Sequence, residues 1–423
     1  MAQQQITASI FDVHLHARKS AVALFAVIAA VLTIASPVHA QTLTVLHTFN
    51  GPPDGSYAVA GPAMDAAGNV YGTTLNGGAH NKGFVFKVAH RGSGWLLTPL
   101  YSFLGGLDGS APLAGVTIGR DGNLYGTASS GGQHGAGVVY KLSPPPSICR
   151  SVLCPWTETV LYQFTGGADG GEPAAAVIFD SAGNLFGTAA SGGTRNNGVV
   201  FKLTPSGSGW TESVLYTFAG SPDGNVPLSA LTFDTSGNLY GTTNGGGSGS
   251  GTVYQLTPSG SGWTEKILYA FQGSHDGANP TAGVVLDPEG NLYGATFYSG
   301  PGNGGTIFEL TPSGGNWIFN ALYSPVLQGF GGVYSTLARS SGGILYGALL
   351  TGGITQDCSG YGCGEIFQLS PFNGGWVYTS LYQFTGGSDG AAPYGGVILD
   401  SAGNLYGTDV GLQNDGNVFE ITP

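Results

Sequence analysis

The sequence predicts an all-β protein, and three observations support this prediction. A motif, Gly-Asn-Leu-Tyr-Gly, recurs seven times with small variations, at steps of 54, 61, 54, 53, 53 and 60 residues. Each repeat carries four apolar runs of strand length, separated by turn-forming Gly, Pro, Asn and Asp. Beyond residue 40, no stretch combines a helical hydrophobic period with helix caps. A fixed period of this length is typical of a repeat architecture.

The strand count predicts a closed ring. In the repeat that begins at Leu228 we expect strands a, b, c and d over 228–234, 238–243, 251–257 and 264–271. Residues 42–49 match a strand d with no a, b or c before it, and residues 416–422 match a strand c with no d after it. The two ends therefore complete one blade. We predict a seven-bladed β-propeller of four-stranded blades, closed by pairing of the N-terminal strand with the C-terminal blade.

Two recurring features predict where strand a and the tryptophan of strand d lie within a blade. Strand a has small residues at its second and third positions in every repeat, as in Ala60-Gly61 and Ala114-Gly115, which predicts that it lies innermost, at a crowded axis. A tryptophan stands at the head of strand d, and packing between neighbouring blades explains this fixed place better than a sugar-binding stripe does. The six tryptophans are Trp95, Trp156, Trp210, Trp263, Trp317 and Trp376.

Composition limits the partners. The chain has 12 basic and 24 acidic residues among 423, a net charge of -12. Nucleic acids and anionic membranes select for basic patches, so we expect neither as a partner. The 76 glycines could indicate low complexity, but the strict period and the 11% aromatic content favour a folded chain, which we expect to be a monomer.

The N-terminus has the pattern of an export signal. Arg18 and Lys19 precede an apolar run over 21–36, and Val38-His39-Ala40 fits a cleavage site. We predict a signal peptide over 1–40 and the propeller over 41–423, with no membrane insertion after cleavage. An uncleaved anchor is the alternative, but the run is short for a spanning helix. The expected location is extracellular, periplasmic or at the cell surface.

The cysteines form two close pairs, Cys149 with Cys154 and Cys358 with Cys363, both within the insertions that lengthen the period. We predict two local disulfides, in keeping with an oxidising compartment. The alternative, one zinc site with four thiolates, requires distant repeats to converge and uses a less common ligand spacing. We expect no metal and no cofactor.

Several motifs together resemble one repeat family. They are Asp-x-x-Gly-Asn-Leu-Tyr-Gly-Thr-Thr, Gly-x-Val-Tyr/Phe-x-Leu-Thr-Pro, Gly-Trp-Thr-Glu and Leu-Tyr-x-Phe-x-Gly-x-x-Asp-Gly. The combination resembles the GloVer tandem repeat of exported bacterial proteins, and its first part is similar, less specifically, to NHL-type propeller repeats. The resemblance implies an extracytoplasmic repeat protein, often with a C-terminal surface anchor, and supplies no activity. Pro423 directly follows the last expected strand, which departs from the anchored pattern.

The candidate site lies on the face of the b-c and d-a loops. His80, His134 and Arg195 occupy one matched position in the b-c loops of three consecutive blades, and could attract an anionic group or a sugar. The alternative is three solvated loop tips. The recurring aspartates of the a-b turns and d-a loops could form an acidic ring for a cation, but turn chemistry accounts for them.

No catalytic motif is recognisable, and the residues unique to single repeats, among them Glu172, are scattered. We therefore expect an exported, non-enzymatic binding or scaffold propeller whose partner is a glycan or an extracellular protein. The alternatives are a glycan-active hydrolase or lyase, since its carboxylate pair would be defined by geometry rather than spacing, and a purely structural surface protein.

Overall fold

Seven antiparallel sheets of four strands surround one axis in a computed structural model that describes residues 41–146, 156–327, 331–354 and 358–422. Residues 43–422 form one compact unit. The prediction of an all-β, seven-bladed propeller is confirmed. Within the described part of the chain, no helix is long and apolar enough to span a membrane.

The strands are numbered along the chain, and in blades one to six they run from the axis outward. The first strand, β1, is Thr42–Thr48. Blade one is β2 Ala63–Met64, β3 Val70–Thr74, β4 Phe84–Arg91 and β5 Gly94–Ser102. Blade two is β6 Thr117–Ile118, β7 Leu124–Ala128, β8 Val138–Ser143 and β9 Thr157–Gln163. Blade three is β10 Ile178–Phe179, β11 Leu185–Ala189, β12 Val199–Ser206 and β13 Gly209–Thr217.

Blade four is β15 Thr232–Phe233, β16 Leu239–Thr243, β18 Thr252–Ser259 and β19 Gly262–Ala270, with a small extra ladder of β14 Gly224–Asn225 and β17 Gly245–Gly246. Blade five is β20 Val285–Leu286, β21 Leu292–Ala295, β22 Ile307–Ser313 and β23 Asn316–Tyr323. Blade six is β24 Ala338–Arg339, β25 Leu345–Leu349, β26 Glu365–Phe372 and β27 Gly375–Gln383. Blade seven is β28 Val397–Leu399, β29 Leu405–Asp409, β30 Asn417–Thr422 and, outermost, β1.

Strand a is shorter than the sequence predicts. In blade four the expected run over 228–234 pairs only at β15, Thr232–Phe233. The residues before it line the axis, where no second strand lies beside them, and bond instead across the blade junction. The carbonyl of Ser229, for example, accepts a hydrogen bond from the Thr188 hydroxyl of blade three at 3.0 Å.

The predicted closure of the ring by the N-terminal strand is present. β1 pairs with β30, and just beyond it the Phe49 N–H donates to the Gly416 carbonyl at 2.8 Å. The Phe49 ring is fully buried and packs 5.3 Å from the Phe86 ring of blade one. Phe103 packs at 5.2 Å against Tyr140 at the next junction, so the closure repeats the contact that joins ordinary neighbours.

Glycine allows the innermost strands to approach closely. A Cβ added to Gly61 would lie against the Gly395 carbonyl oxygen, and one added to Gly115 would lie against the Gly61 carbonyl oxygen. Both neighbours are backbone and cannot rotate away. The small residues of strand a therefore mark the crowded axis, as their pattern predicts.

The tryptophans pack between blades. Trp263 of blade four lies edge-on to Phe186 of blade three, with ring centroids 6.3 Å apart. Trp95 of blade one lies at the same distance from Tyr406 of blade seven, across the closure. Each of these contacts joins a strand-d tryptophan to the aromatic residue of the recurring motif in the preceding blade, which accounts for the fixed place of both.

The junction between blades five and six is built differently. Pro325 stands where the other strands d end in Phe, so no aromatic ring from this position reaches blade six. At this junction the Tyr378 ring of blade six stacks 5.3 Å from Phe367 and 4.1 Å from Tyr323, and its hydroxyl donates to Glu365. Phe319 stacks in the same way on Phe308 and Tyr269 at the preceding junction, where Phe271 is retained. The stack therefore belongs to both junctions, and only the ring at position 325 is missing.

One predicted disulfide is present and the other falls outside the described residues. Cys358 and Cys363 are bonded, with Cα atoms 5.3 Å apart, beside a short 3-10 turn at Cys358–Gly360. Cys149 and Cys154 lie in 147–155, which the structure does not describe.

Candidate functional site

A ring of seven matched residues surrounds the axis on the face of the b-c and d-a loops. Each residue directly precedes the two small residues of strand a, one per blade, and lines the same cavity. We call this set the mouth ring: Val59, Leu113, Ala174, Leu228, Thr281, Tyr334 and Tyr394. Five members are small or aliphatic, and the two tyrosines are adjacent, in blades six and seven. The mouth is therefore asymmetric although the fold repeats.

A second set lies two residues before the mouth ring and holds neighbouring blades together. In six blades this residue is not glycine yet has a positive φ, between 50° and 57°. In blade four, for example, the Val226 N–H donates to the Asn197 carbonyl of the preceding blade, and its carbonyl accepts from the Asn244 N–H of its own blade. The left-handed conformation is unfavourable for a β-branched residue. These paired bonds between blades hold it in place.

Aromatic side chains collect on one side of the mouth. The Tyr334 ring lies edge-to-face between Tyr394, at 5.0 Å, and Phe297, at 5.6 Å. Tyr57, the blade-one member of the second set, also lines the cavity and is 49% exposed. We call Tyr57, Tyr334 and Tyr394 the aromatic arc. The arc faces the aliphatic side formed by Leu113 and its neighbours.

The hydroxyls of the aromatic arc differ from those of the repeat tyrosines. Tyr71 donates to Asp65 at 3.0 Å and Tyr101 to Asp108 at 2.9 Å, in an arrangement that recurs from blade to blade. In contrast, the hydroxyls of Tyr57, Tyr334 and Tyr394 have no hydrogen-bond partner within the described residues. Burial raises the pKa of Tyr334, with a further contribution from its tyrosine neighbours. Its hydroxyl therefore stays protonated and can donate.

The mouth leads into the axis of the propeller. The cavity at the mouth has a volume of about 290 Å³, and a deeper cavity of about 390 Å³ shares its lining residues. Among the described residues, none that lines the mouth cavity is charged. An uncharged, partly apolar pocket with a few polar groups at its edge is the usual form of a small-molecule site.

The second set, which lies beside the mouth, contains one charged residue. This residue is Glu172 of blade three, and it is exposed. Among the residues that the structure describes, no three His, Cys, Asp or Glu side chains are grouped so that they could hold a metal ion. A glycosidase needs two carboxylates about 5–10 Å apart, and the part of the mouth lining that the structure describes holds no such pair.

The three residues that the sequence indicates as a site lie on the same face but apart from the mouth. His80, His134 and Arg195 are exposed at the tips of three separate b-c loops. The two histidine side chains make no hydrogen bond within the described ranges, and an Arg195 Nη1 donates to the Ala219 carbonyl at 3.5 Å. The structure does not bring the three into contact with one another, and their role remains a prediction.

The aspartates of the turns and d-a loops accept hydrogen bonds from nearby backbone N–H groups and side chains. Asp65 accepts from the Asn69 N–H at 2.9 Å and from the Asn69 Nδ2 at 2.7 Å. In the d-a loop, Asp108 accepts from the Leu104 N–H at 2.7 Å and from Tyr101. At the ring closure His47 takes the place of the tyrosine, with its Nε2 3.1 Å from Asp54. These bonds account for the recurring aspartates without a ligand.

Three half-buried glutamates, Glu158, Glu212 and Glu265, lie near the d-a loop aspartates between blades one and four. Burial, with a smaller contribution from Asp108, raises the pKa of Glu158 to about 7. Glu212 and Glu265 repeat the arrangement, with pKa values of about 7 raised by burial and then by Asp169 and Asp223. One oxygen of each glutamate is buried without a hydrogen-bond partner in the described structure.

The sequence alone did not single out the aromatic arc. Its signal is present, because the residue before the small pair of strand a is aromatic in only two of seven blades. That difference becomes informative once the position is known to face the axis. Tyr57 is likewise the single aromatic residue at its matched position in the seven repeats, and its left-handed backbone is seen only in the structure.

These features define a β-propeller with an asymmetric, uncharged axial mouth. A family model described as the Gloeobacter/Verrucomicrobia repeat matches residues 34–248, 150–358 and 248–423, and the chain belongs to this family. The predicted resemblance is thereby confirmed. No curated protein matches the chain by sequence.

Several solved structures are similar to this chain. A polysaccharide lyase of family PL25, an ulvan lyase, matches with a TM-score of 0.51 at 12% identity, over 89% of this chain and 95% of that one. A Dyadobacter fermentans protein of unknown function matches with a TM-score of 0.47 at 11% identity, over 91% and 99% of the two chains. A candidate 6-phosphogluconolactonase from Bacteroides uniformis gives 0.49 at 14%, over 78% and 85%. At these identities the similarity concerns the fold alone.

Proposed function

We propose that the protein is an exported, non-enzymatic propeller that binds a neutral glycan at its axial mouth. The observation that carries the proposal is the aromatic arc, in which three tyrosine rings line an uncharged cavity with hydroxyls that have no partner in the described structure. A sugar offers apolar C–H faces to aromatic rings and hydroxyls to polar groups. The arc supplies both kinds of contact.

The absence of charge in the lining favours a neutral sugar over an acidic or basic one. An ionised ligand in this cavity would lose solvation without a charged partner. The described lining residues also include no pair of carboxylates for acid and base catalysis, which favours binding over hydrolysis.

Two features support export. The pattern over 1–40 is that of a cleaved signal peptide, and the Cys358–Cys363 disulfide is of the kind that persists outside the cytoplasm. The loop tips His80, His134 and Arg195 are a second proposed contact surface on the same face, where an anionic partner could be attracted on a chain of net charge -12.

A glycan array with the mature chain tests the proposal, together with a screen for release of reducing ends or unsaturated products. We expect binding to neutral glycans without turnover. Tyr394→Ala should weaken the binding, whereas Tyr361→Ala, at a tyrosine that is 52% exposed in the disulfide loop, should not. Turnover of any bound glycan would contradict the non-enzymatic role, and a chain that binds no neutral glycan would contradict the proposed site.

A further inference from the structure

A groove between blades two and three, on the face opposite the mouth, combines aromatic side chains with an unpaired cation. Its volume is about 530 Å³. The a-b turn of blade two forms one side, with Arg120 and Asp121, while Phe179 and Trp210 of blade three form the other. This is the face of the a-b and c-d turns, whose sequences repeat with little change outside the insertion that carries Cys149 and Cys154.

The aromatic floor belongs to the fold. Tyr125 and Phe179 lie edge-to-face with ring centroids 4.9 Å apart, and Trp210 packs against the same cluster. The next junction has an equivalent pair, Phe186 and Phe233, at 5.1 Å. The floor therefore does not by itself distinguish this groove.

The a-b turn of blade two distinguishes this groove from the equivalent groove at the next junction. Five of the other six blades have Asp at the first turn position, as in Asp180-Ser181-Ala182, and blade six has Ser340, but blade two has Gly119-Arg120-Asp121. Asp121 takes over the missing role, accepting from the Asn123 N–H at 3.1 Å and from the Tyr125 hydroxyl at 2.8 Å. A Cβ at residue 119 would overlap Asp121 Oδ1, so the glycine and the shifted aspartate belong together.

The rearranged turn places Arg120 at the groove. Its side chain is exposed, and within the described residues its guanidinium forms no ion pair or hydrogen bond. Basic residues are few in this chain, 12 against 24 acidic ones. A planar guanidinium with free donors is suited to a carboxylate, which it can bind with two parallel hydrogen bonds.

Two carboxylates also line the groove, and they restrict the ligand. Asp121 Oδ1 accepts from the Asn123 N–H, and Asp180 Oδ2 accepts from the Asn184 Nδ2. An ionised carboxyl oxygen can accept more than one hydrogen bond, so both retain capacity for a donor. A ligand that carried only negative charge would be repelled by them, whereas hydroxyl groups beside its charge would offset that repulsion.

We propose that this groove binds a uronate, a sugar that bears a carboxylate, either free or as a residue of an acidic polysaccharide. The carboxylate pairs with Arg120, hydroxyls donate to Asp121 and Asp180, and the apolar face of the ring lies on Phe179 and Trp210. This site is separate from the neutral site proposed at the mouth and lies on the opposite face.

Calorimetric titration of the full mature chain tests the site with D-galacturonate and D-galactose, which differ only in the carboxylate. We expect galacturonate to bind at least about tenfold more tightly, as is typical of a charge-assisted pair. Arg120→Ser introduces the residue found at the matched position 181 and should remove about the same factor. Arg91→Ser, at an exposed turn on the same face, removes the same charge and should leave the affinity unchanged.

Titration with trigalacturonate distinguishes the two sources of the ligand, a free sugar acid and an acidic polysaccharide. Tighter binding of the trimer than of the monomer indicates a polysaccharide, equal binding indicates a free sugar acid, and both uphold the site. Equal affinity for galactose and galacturonate, unchanged binding by Arg120→Ser, or equal losses in both Arg variants would overturn it. Benzoate bound as tightly as galacturonate would also overturn it, because no hydroxyls would then be needed. Tyr394→Ala on the opposite face should not affect this titration, so the two proposals fail independently.

Discussion

The Thr408 hydroxyl donates a hydrogen bond to the Ala60 carbonyl at 2.8 Å, joining residues 348 positions apart. Thr73 makes the same bond to Ala114 at 2.9 Å, between blades one and two. The first threonine of the recurring motif therefore links strand b of one blade to strand a of the next. At Thr408 this ordinary link also closes the ring.

Thr408→Val should destabilise the propeller by about 1–3 kcal/mol, because it leaves the buried Ala60 carbonyl without its donor at nearly constant side-chain volume. The measurement is the free energy of unfolding from denaturant titration. Thr211→Val, at an exposed position of β13, is the control and should have little effect. A Thr408→Val chain as stable as the control would show that this bond does not hold the closure.

Phe49→Ala should cost about 3–5 kcal/mol, as expected for a large aromatic side chain removed from a core. The Phe49 ring follows β1 and is fully buried between blades seven and one. Leu104→Ala, at a residue that is 60% exposed after the equivalent strand of blade one, should change the unfolding free energy by less than about 0.5 kcal/mol. Equal effects of the two substitutions would contradict the role of the N-terminal strand in closure.

The fold is predictable from the repeat because the residues that make each structural contact recur several times in the sequence. The motif aromatic and the strand-d tryptophan recur together, and in the structure they meet across blade junctions, as Phe186 and Trp263 do. Strand count and the split blade then determine the number of blades and the closure. Sequence periodicity is sufficient to predict this fold because the same packing contacts recur from blade to blade.

The candidate site was less predictable because it depends on what differs between repeats. Tyr57 reaches the mouth through a left-handed backbone that its own residue type does not favour. Tyr334 and Tyr394 differ from the residues at the matched positions of the other blades, but only the structure shows that this position faces the axis.

Stability should fall as the pH rises through the window set by the three half-buried glutamates, Glu158, Glu212 and Glu265. Unfolded, they lose their protons near the usual value of about 4.3, whereas the folded chain holds them until about 7. Between these values the unfolded state binds fewer protons, so rising pH favours unfolding, and above about 7 this effect is complete.

Replacing Glu158, Glu212 and Glu265 together by Gln removes this titration. We expect the loss of unfolding free energy between pH 5 and pH 8 to be smaller in this variant than in the natural chain. Glu289→Gln, at an exposed turn, is the matched control and should keep the natural pH dependence. An unchanged pH dependence in the triple variant would show that these residues titrate normally in the folded chain.

Mass spectrometry of the chain recovered from outside the cytoplasm should find an N-terminus near Gln41. Non-reduced peptides should show Cys149 linked to Cys154, in addition to the Cys358–Cys363 bond. The close spacing of each pair is the reason for this expectation. An intact N-terminus on recovered protein, or free thiols at 149 and 154, would contradict the predicted export signal or the predicted pairing, respectively.

The most direct test of the account is a crystal structure of the mature chain with a neutral oligosaccharide that the glycan array identifies. We expect a sugar residue at the axial mouth, with its apolar face against Tyr334 or Tyr394 and its hydroxyls bonded to the aromatic arc. The matching solution measurement is a loss of affinity of about tenfold in Tyr334→Ala, equivalent to about 1.4 kcal/mol for one aromatic contact. Electron density for the sugar at the loop tips of His80, His134 and Arg195 instead, with the mouth empty, would contradict the proposed site.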